Sequence, residues 1–174
     1  MAAMAESFAP ERLPLSATPA EKARRYAELK DEVAAVLAGE PNLTARMATV
    51  AAMLAASFEA CFWTGFYVVD TDRPRELVVG PYQGTLGCLR IAFGRGVCGT
   101  AAATGEVQIV PDVEAFPGHI ACDSRSRSEI VLPVRDAGGR LIAVLDVDCD
   151  RPGAFGALDA EGLSAILEVA FAQA

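Results

Sequence analysis

The sequence predicts an α+β domain: an antiparallel sheet of about six strands with helices packed against it. Three observations carry this. Apolar residues recur at helical spacing near both ends of the chain, over residues 18–58 and 158–174. Between those ends the pattern changes to short β-branched and aromatic runs, folded back on one another by turn sequences at 70–75 and 136–139. At 174 residues and 52% hydrophobic content the chain can bury one ordinary core, and no repeat or linker divides it. Residues 1–17 read as a flexible N-terminal extension and 18–174 as a single domain.

The first helix opens at Thr18-Pro19-Ala20-Glu21, a capping box with proline in the first turn. Tyr26, Leu29, Val33 and Val36 form its apolar stripe, and Gly39 ends it. Asn42 caps a second helix with the stripe Leu43, Met47, Val50, Leu54 and Phe58. Residues 61–70 make a strand, with Trp63, Gly65 and Tyr67 on one face and Phe62, Thr64 and Phe66 on the other. Residues 76–84 return as the second arm of a hairpin, and 88–91 form a third short strand.

Gly94-Arg95-Gly96-Val97-Cys98-Gly99 matches G-x-G-x-x-G. The helix it opens, 97–104, is too short for a βαβ crossover and follows a hairpin meander, so no dinucleotide site is expected. What the loop offers is a set of exposed N–H groups at a helix N-terminus, where a carboxylate can sit. A strand at 107–110 leads into the long irregular segment 111–127, of a length that in compact domains usually serves function. Strands at 128–135 and 141–148 follow, and the apolar run Leu141-Ile142-Ala143-Val144-Leu145 reads as a central strand buried on both faces. A final helix closes the chain.

A formal net charge of −8 argues against a nucleic-acid partner, which needs clustered Lys and Arg. No apolar run approaches the ~20 residues of a membrane span. The N-terminus lacks the charged start and apolar core of a signal peptide, so the expected location is cytoplasmic. In that reducing setting five cysteines point to thiol chemistry more than to a static disulfide framework.

Cys61 and Cys149 read as small buried hydrophobes. Cys122 lies in a polar loop between Gly118-His119 and Asp123, where His119, Arg125 and Arg127 can hold a thiolate. With no C-x-x-C pair and one histidine, zinc is not expected. Asp146 and Asp148 are two residues apart on a strand and share a face. With Glu129 they form a group of neighbouring carboxylates, at least one of which an apolar setting should push toward the protonated form.

Several stretches together resemble the single-domain GAF family of free methionine-(R)-sulfoxide reductases. They are Trp63-Thr64-Gly65-Phe66-Tyr67, Gly80-Pro81-Tyr82-Gln83-Gly84, the block from Gly94 to Ala101, Phe116-Pro117-Gly118-His119-Ile120-Ala121-Cys122-Asp123, Ser128-Glu129-Ile130 and Leu145-Asp146-Val147-Asp148. The resemblance runs from about Pro19 to the C-terminus, and Cys61 and Cys149 are extra to its three-cysteine pattern. It implies a GAF-type fold and reduction of the free amino acid's R-sulfoxide.

By that resemblance Cys122 is the attacking cysteine and Cys88 the resolving one, with Cys98 either an alternative nucleophile or a relay. Glu129, Asp146 and Asp148 become substrate-contacting acids, and Trp63 and Tyr67 an aromatic wall. The sulfenic acid so formed condenses with a second thiol, and the resulting disulfide needs thioredoxin or a similar dithiol protein. No metal or organic cofactor is implied. A homodimer through the terminal helices is expected by analogy with GAF domains. The alternative is a non-catalytic GAF sensor of a small molecule, which leaves the three cysteines without a role.

Overall fold

The computed structural model describes residues 12–120 and 122–172. Helix α1 (Pro19–Val36) starts at the expected capping box, with the Thr18 side chain accepting from the Glu21 backbone and Glu21 reaching back to Thr18. Helix α2 (Leu43–Ser57) starts at Asn42, whose side chain accepts from the Ala45 N–H. The apolar stripes are buried at Tyr26, Leu29 and Val33 and at Met47, Val50, Leu54 and Phe58, while Val36 in the last turn of α1 and Leu43 in the first turn of α2 are exposed.

Six strands follow: β1 (Trp63–Val69), β2 (Glu76–Gln83), β3 (Arg90–Ala92), β4 (Gln108–Val110), β5 (Ser128–Arg135) and β6 (Leu141–Cys149). They form one antiparallel sheet in the order β3-β2-β1-β6-β5-β4. The apolar strand β6 is central, paired on both sides, with Ala143, Val144 and Leu145 fully buried. Helix α3 (Gly96–Thr104) ends at Gly105 in the left-handed conformation, φ 72°, which a glycine adopts without strain. A single 3-10 turn (Val113–Ala115) orders part of the long segment before β5, and α4 (Ala157–Phe171) closes the domain.

The sheet has two unlike faces. One is covered by α1, α2 and α4, which bury Leu29, Val33, Val50, Leu54 and Ile166 against Phe66, Ile130, Leu132 and Leu145. Polar groups pin this layer. The Tyr26 hydroxyl donates to Asp159 at 2.9 Å, and the buried Arg46 guanidinium donates to the carbonyls of Leu37, Glu40 and Ala170, satisfying the open ends of α1 and α4. The other face carries Trp63, Tyr67, Val131 and Val144 under α3 and two loops. Alternation along β1 places Trp63 and Tyr67 on this second face and Phe66 on the first, as expected, but Phe62, expected with Phe66, precedes the strand and packs on the second face instead.

Two departures matter. Strand β3 begins at Arg90 rather than at Cys88, so Cys88 lies in the loop leading into it. Of the expected N-terminal extension, residues 1–11 lie outside the described residues. Residues 12–17 run beside the end of α2, with the Leu13 N–H donating to the Ser57 carbonyl at 2.9 Å and Leu13 and Leu15 packed on the core.

Candidate active site

Strand register assembles the floor of the site. Trp63 on β1 pairs with Asp148 on β6, and Asp148 pairs with Glu129 on β5, so three side chains stand in one row across three strands. Asp146 stands in the next row on the same face, opposite Gly65 and Val131. The short strands and the α3 loop then bring the remaining parts over this row. Helix α3 supplies Cys98, whose thiol donates to Asp146 Oδ2 at 3.3 Å. Its N-terminal residues Gly96 and Val97 line the same space, and Arg95 provides no side-chain cap.

Trp63 stacks between Tyr67 and Tyr82, with ring centroids at 5.6 and 5.2 Å, and its indole N–H donates to the Thr85 carbonyl at 2.9 Å. Gly87 lies flat on this wall. A Cβ there would fall 2.7 Å from the Tyr67 hydroxyl and 3.0 Å from the Trp63 ring.

The roof is made by two loops. A disulfide joins Cys88 to Cys122, with a Cα–Cα distance of 5.1 Å, and the Tyr67 hydroxyl lies 4.0 Å from Cys122 Sγ. A second tie runs beside it. Asp123 accepts from Thr85 and from Arg125, Arg125 also reaches Thr85 at 3.0 Å, and its guanidinium lies over the Phe62 ring. A small cavity of about 30 Å³ lies under this roof. Seven of the eight residues singled out in the sequence line it: Trp63, Tyr67, Cys98, Cys122, Glu129, Asp146 and Asp148. Cys88 joins them through the disulfide.

The electrostatics follow from burial without cationic partners. Burial, reinforced by Asp148, raises the Glu129 pKa to about 8. Burial raises Asp148 to about 6, opposed by a hydrogen bond from Ser126. Asp146 is also pushed well above the usual carboxylate range, by burial and then by its two acidic neighbours. One oxygen each of Glu129 and Asp146 is buried with no protein hydrogen bond. The three carboxylates place ligand oxygens within 4.8 Å of one another, the one group among the described residues arranged to surround a cation. Cys98 is held well above the usual thiol range, by burial and then by Asp146, and stays a protonated thiol. Cys61 and Cys149 are buried on the helical face, as small hydrophobes are.

The expected cationic surroundings of Cys122 are not assembled. Arg125 is committed to Asp123 and Arg127 to Glu114, each at 2.9 Å. Burial lowers the His119 pKa, and its Nε2 lies 3.7 Å from Glu129 Oε1, directed at the acids. Sequence reading set His119 beside Cys122 as a thiolate partner rather than among the acids, and did not single out Ser126 or Ile120, since no period marks a side chain in an irregular loop.

A curled antiparallel sheet, helix-backed on one face and bearing a pocket of cysteines, acids and aromatic rings on the other, defines a GAF-type domain equipped for thiol chemistry. The chain belongs to the GAF domain family, whose profile matches residues 40–173. It is 44% identical to a free methionine-R-sulfoxide reductase of Escherichia coli, over 82% of this chain and 84% of that protein. Among solved structures it resembles a free methionine-R-sulfoxide reductase from Neisseria meningitidis in complex with its substrate, at 46% identity and a TM-score of 0.81, covering 89% of this chain and 90% of that one. A reduced-form structure of the Staphylococcus aureus protein of that type aligns at 38% identity and a TM-score of 0.79, over 83% and 92% of the two chains.

Proposed function

We propose that this chain is an oxidoreductase that reduces free L-methionine-(R)-sulfoxide to methionine through the thiols of Cys122 and Cys88. The observation that carries the proposal is the Cys88–Cys122 disulfide closing a pocket floored by three acids with raised pKa values. The relatives named for this activity, one of them solved with its substrate, support the same reading.

The substrate's parts match the pocket's. The α-carboxylate fits the uncapped N-terminus of α3, whose N–H groups favour an anion. The ammonium fits among Asp146, Asp148 and Glu129, and the cation draws a proton off the most acidic of them. The methyl end fits the wall of Trp63 and Tyr67.

In the reaction the Cys122 thiolate attacks the sulfoxide sulfur while a protonated carboxyl, assigned to Glu129, delivers its proton to the sulfoxide oxygen. The oxygen ends on Cys122 as a sulfenic acid and methionine leaves. The Cys88 thiol then attacks that sulfur, forming the disulfide and releasing water. The sum is one sulfoxide and two thiols giving methionine, one disulfide and water. Cys98, held protonated beside Asp146, serves the acids as a hydrogen-bond donor and is not the nucleophile.

Recycling is assigned to thioredoxin or a similar protein dithiol. The reading takes residues 18–174 as one working domain, with residues 1–17 as an extension. It includes a cytoplasmic location and, by analogy with GAF domains, a homodimer. No helix of the described residues is long and apolar enough to cross a membrane.

The test is incubation of the reduced protein with the free R-sulfoxide and a dithiol, with methionine measured by chromatography. Catalytic turnover is expected. Binding without turnover would instead identify a small-molecule sensor.

A further inference from the structure

The Cys88–Cys122 disulfide separates two concavities. Inside is the pocket described above. Outside is a shallower, more open depression lined by Tyr82, Thr85, Leu86, Cys122, Asp123 and Ser124. Cys122 and Leu86 border both. Cys122 is exposed and Cys88 half-buried, so the bond is open to attack from the outer side.

Three large apolar side chains stand exposed near this bond in the chain. Leu86 is 81% and Leu89 75% exposed, the two highest values for large hydrophobic side chains among the described residues, and they flank Cys88 in the chain. Ile120, also exposed, precedes Cys122 by two residues. Isolated exposed leucines need no explanation, but a cluster around a reactive bond does. Two charges beside this patch are matched, Arg125 with Asp123 and Arg90 with Asp70 and Glu76, while Arg95, which lines the pocket with Leu86 and Ile120, forms no ion pair among the described residues.

We propose that Leu86, Leu89 and Ile120 form the docking surface for the protein dithiol that re-reduces the disulfide. The partner is one whose reactive thiol is set in an apolar face. This rests on the recycling scheme of the preceding subsection. The exposed leucines flank the disulfide itself, so an apolar face brought against it gains by burial as the thiol reaches Cys122.

The step is a thiol–disulfide exchange. The partner's thiolate attacks Cys122 Sγ, the new S–S bond forms as the Cys88–Cys122 bond breaks, and Cys88 leaves as a thiolate that takes up a proton. The partner's second thiol then attacks its own mixed-disulfide sulfur and releases Cys122. Two electrons pass from the partner's dithiol, which ends as its disulfide.

The experiment compares reduction of the oxidised protein by thioredoxin and by dithiothreitol, in wild type and in Leu89→Glu. Leu89 lies outside the substrate pocket and is exposed, so the substitution is compatible with folding. A second variant, Leu89→Ser, removes the apolar side chain without adding charge.

Thioredoxin-driven kcat/KM should fall roughly tenfold in Leu89→Glu and less in Leu89→Ser, while dithiothreitol-driven turnover stays unchanged. Equal thioredoxin rates in wild type and both variants would overturn the docking surface while leaving the recycling scheme intact. Sedimentation showing that Leu89→Glu dissolves a dimer, with thioredoxin rates unaltered, would reassign the patch to a second copy of the chain. Failure of both reductants to reopen the wild-type disulfide would instead overturn the underlying scheme.

Discussion

Replacing Glu129 with glutamine should make the protein slightly more stable at mildly alkaline pH and nearly inactive. The Glu129 carboxyl is buried, one oxygen lacks a protein hydrogen bond, and Asp148 stands opposite it on β6, so its pKa is about 8 against 4.5 for an ordinary glutamate. The folded state therefore holds this proton more tightly than the unfolded chain. Below the unfolded pKa the group's contribution to stability is fully present. As pH rises from 4.5 toward 8 the unfolded chain gives up its proton first, and stability falls by about 1.4 kcal/mol per pH unit. By the folded pKa the loss is roughly 3–5 kcal/mol.

Glutamine escapes this loss but leaves a buried amide imperfectly satisfied, at a cost of about 1–3 kcal/mol. The net gain is then about 2 kcal/mol, or roughly 5 °C in Tm, near pH 8. Near pH 5, where the wild-type loss is below about 1 kcal/mol, the amide's cost leaves the variant about 1 kcal/mol less stable. Activity should move the other way, because the amide cannot deliver a proton to the sulfoxide oxygen. A loss of roughly 10²–10⁴-fold in kcat is expected.

Thermal unfolding at the two pH values and methionine release across the same range check both halves. Wild-type activity should decline as pH passes about 8, and this limb should be missing from the residual activity of the variant. A variant that keeps activity within about tenfold of wild type, or gains as much Tm near pH 5 as near pH 8, would refute the reasoning.

Three further outcomes are expected. Cys122→Ser should release no methionine even in a single turnover, whereas Cys88→Ser should release one equivalent and stall as a sulfenic acid trappable with a dimedone-type reagent. A full burst from Cys122→Ser would move the attack to another cysteine. N-acetyl-methionine sulfoxide, lacking the ammonium that the acids surround, should react roughly 30- to 1,000-fold more slowly in kcat/KM than the free amino acid. Comparable rates would dissociate Asp146, Asp148 and Glu129 from substrate selection. Gly87→Ala should raise KM about tenfold with little change in kcat, because the added carbon meets the Tyr67 hydroxyl and the Trp63 ring. An unchanged KM would mean that the aromatic wall does not grip the substrate.

The floor of the site was legible because it obeys a period. Asp146 and Asp148 share a face of one strand, and Trp63 and Tyr67 a face of another, by alternation alone, while the register that sets the two pairs on the same side of the sheet is seen only in the structure. Helix starts at Thr18 and Asn42 were equally readable, since capping is local chemistry. The roof was not legible in the same way. Cys-Leu-Arg-Ile has strand-like residues from position 88, yet pairing with β2 reaches only from Arg90, and this frees Cys88 to meet Cys122 from 34 residues away. The cations near Cys122 in sequence also misled. Whether Arg125 and Arg127 face a thiol or a carboxylate is decided by where Asp123 and Glu114 lie, which no spacing records.

The tie among Thr85, Asp123 and Arg125 runs alongside the disulfide and contains no sulfur, so cutting the sulfur bond removes none of its hydrogen bonds. Its effect is that of a short linker between two reactants. With the loops still joined, the Cys88 thiol stays at an effective concentration of millimolar or more beside Cys122, without relying on encounters in solution. On the proposed mechanism, a sulfenic acid formed on Cys122 is then consumed by its neighbour before a diffusing thiol or a second oxidant reaches it. The loop tie thereby guards the exposed sulfur against over-oxidation in each cycle.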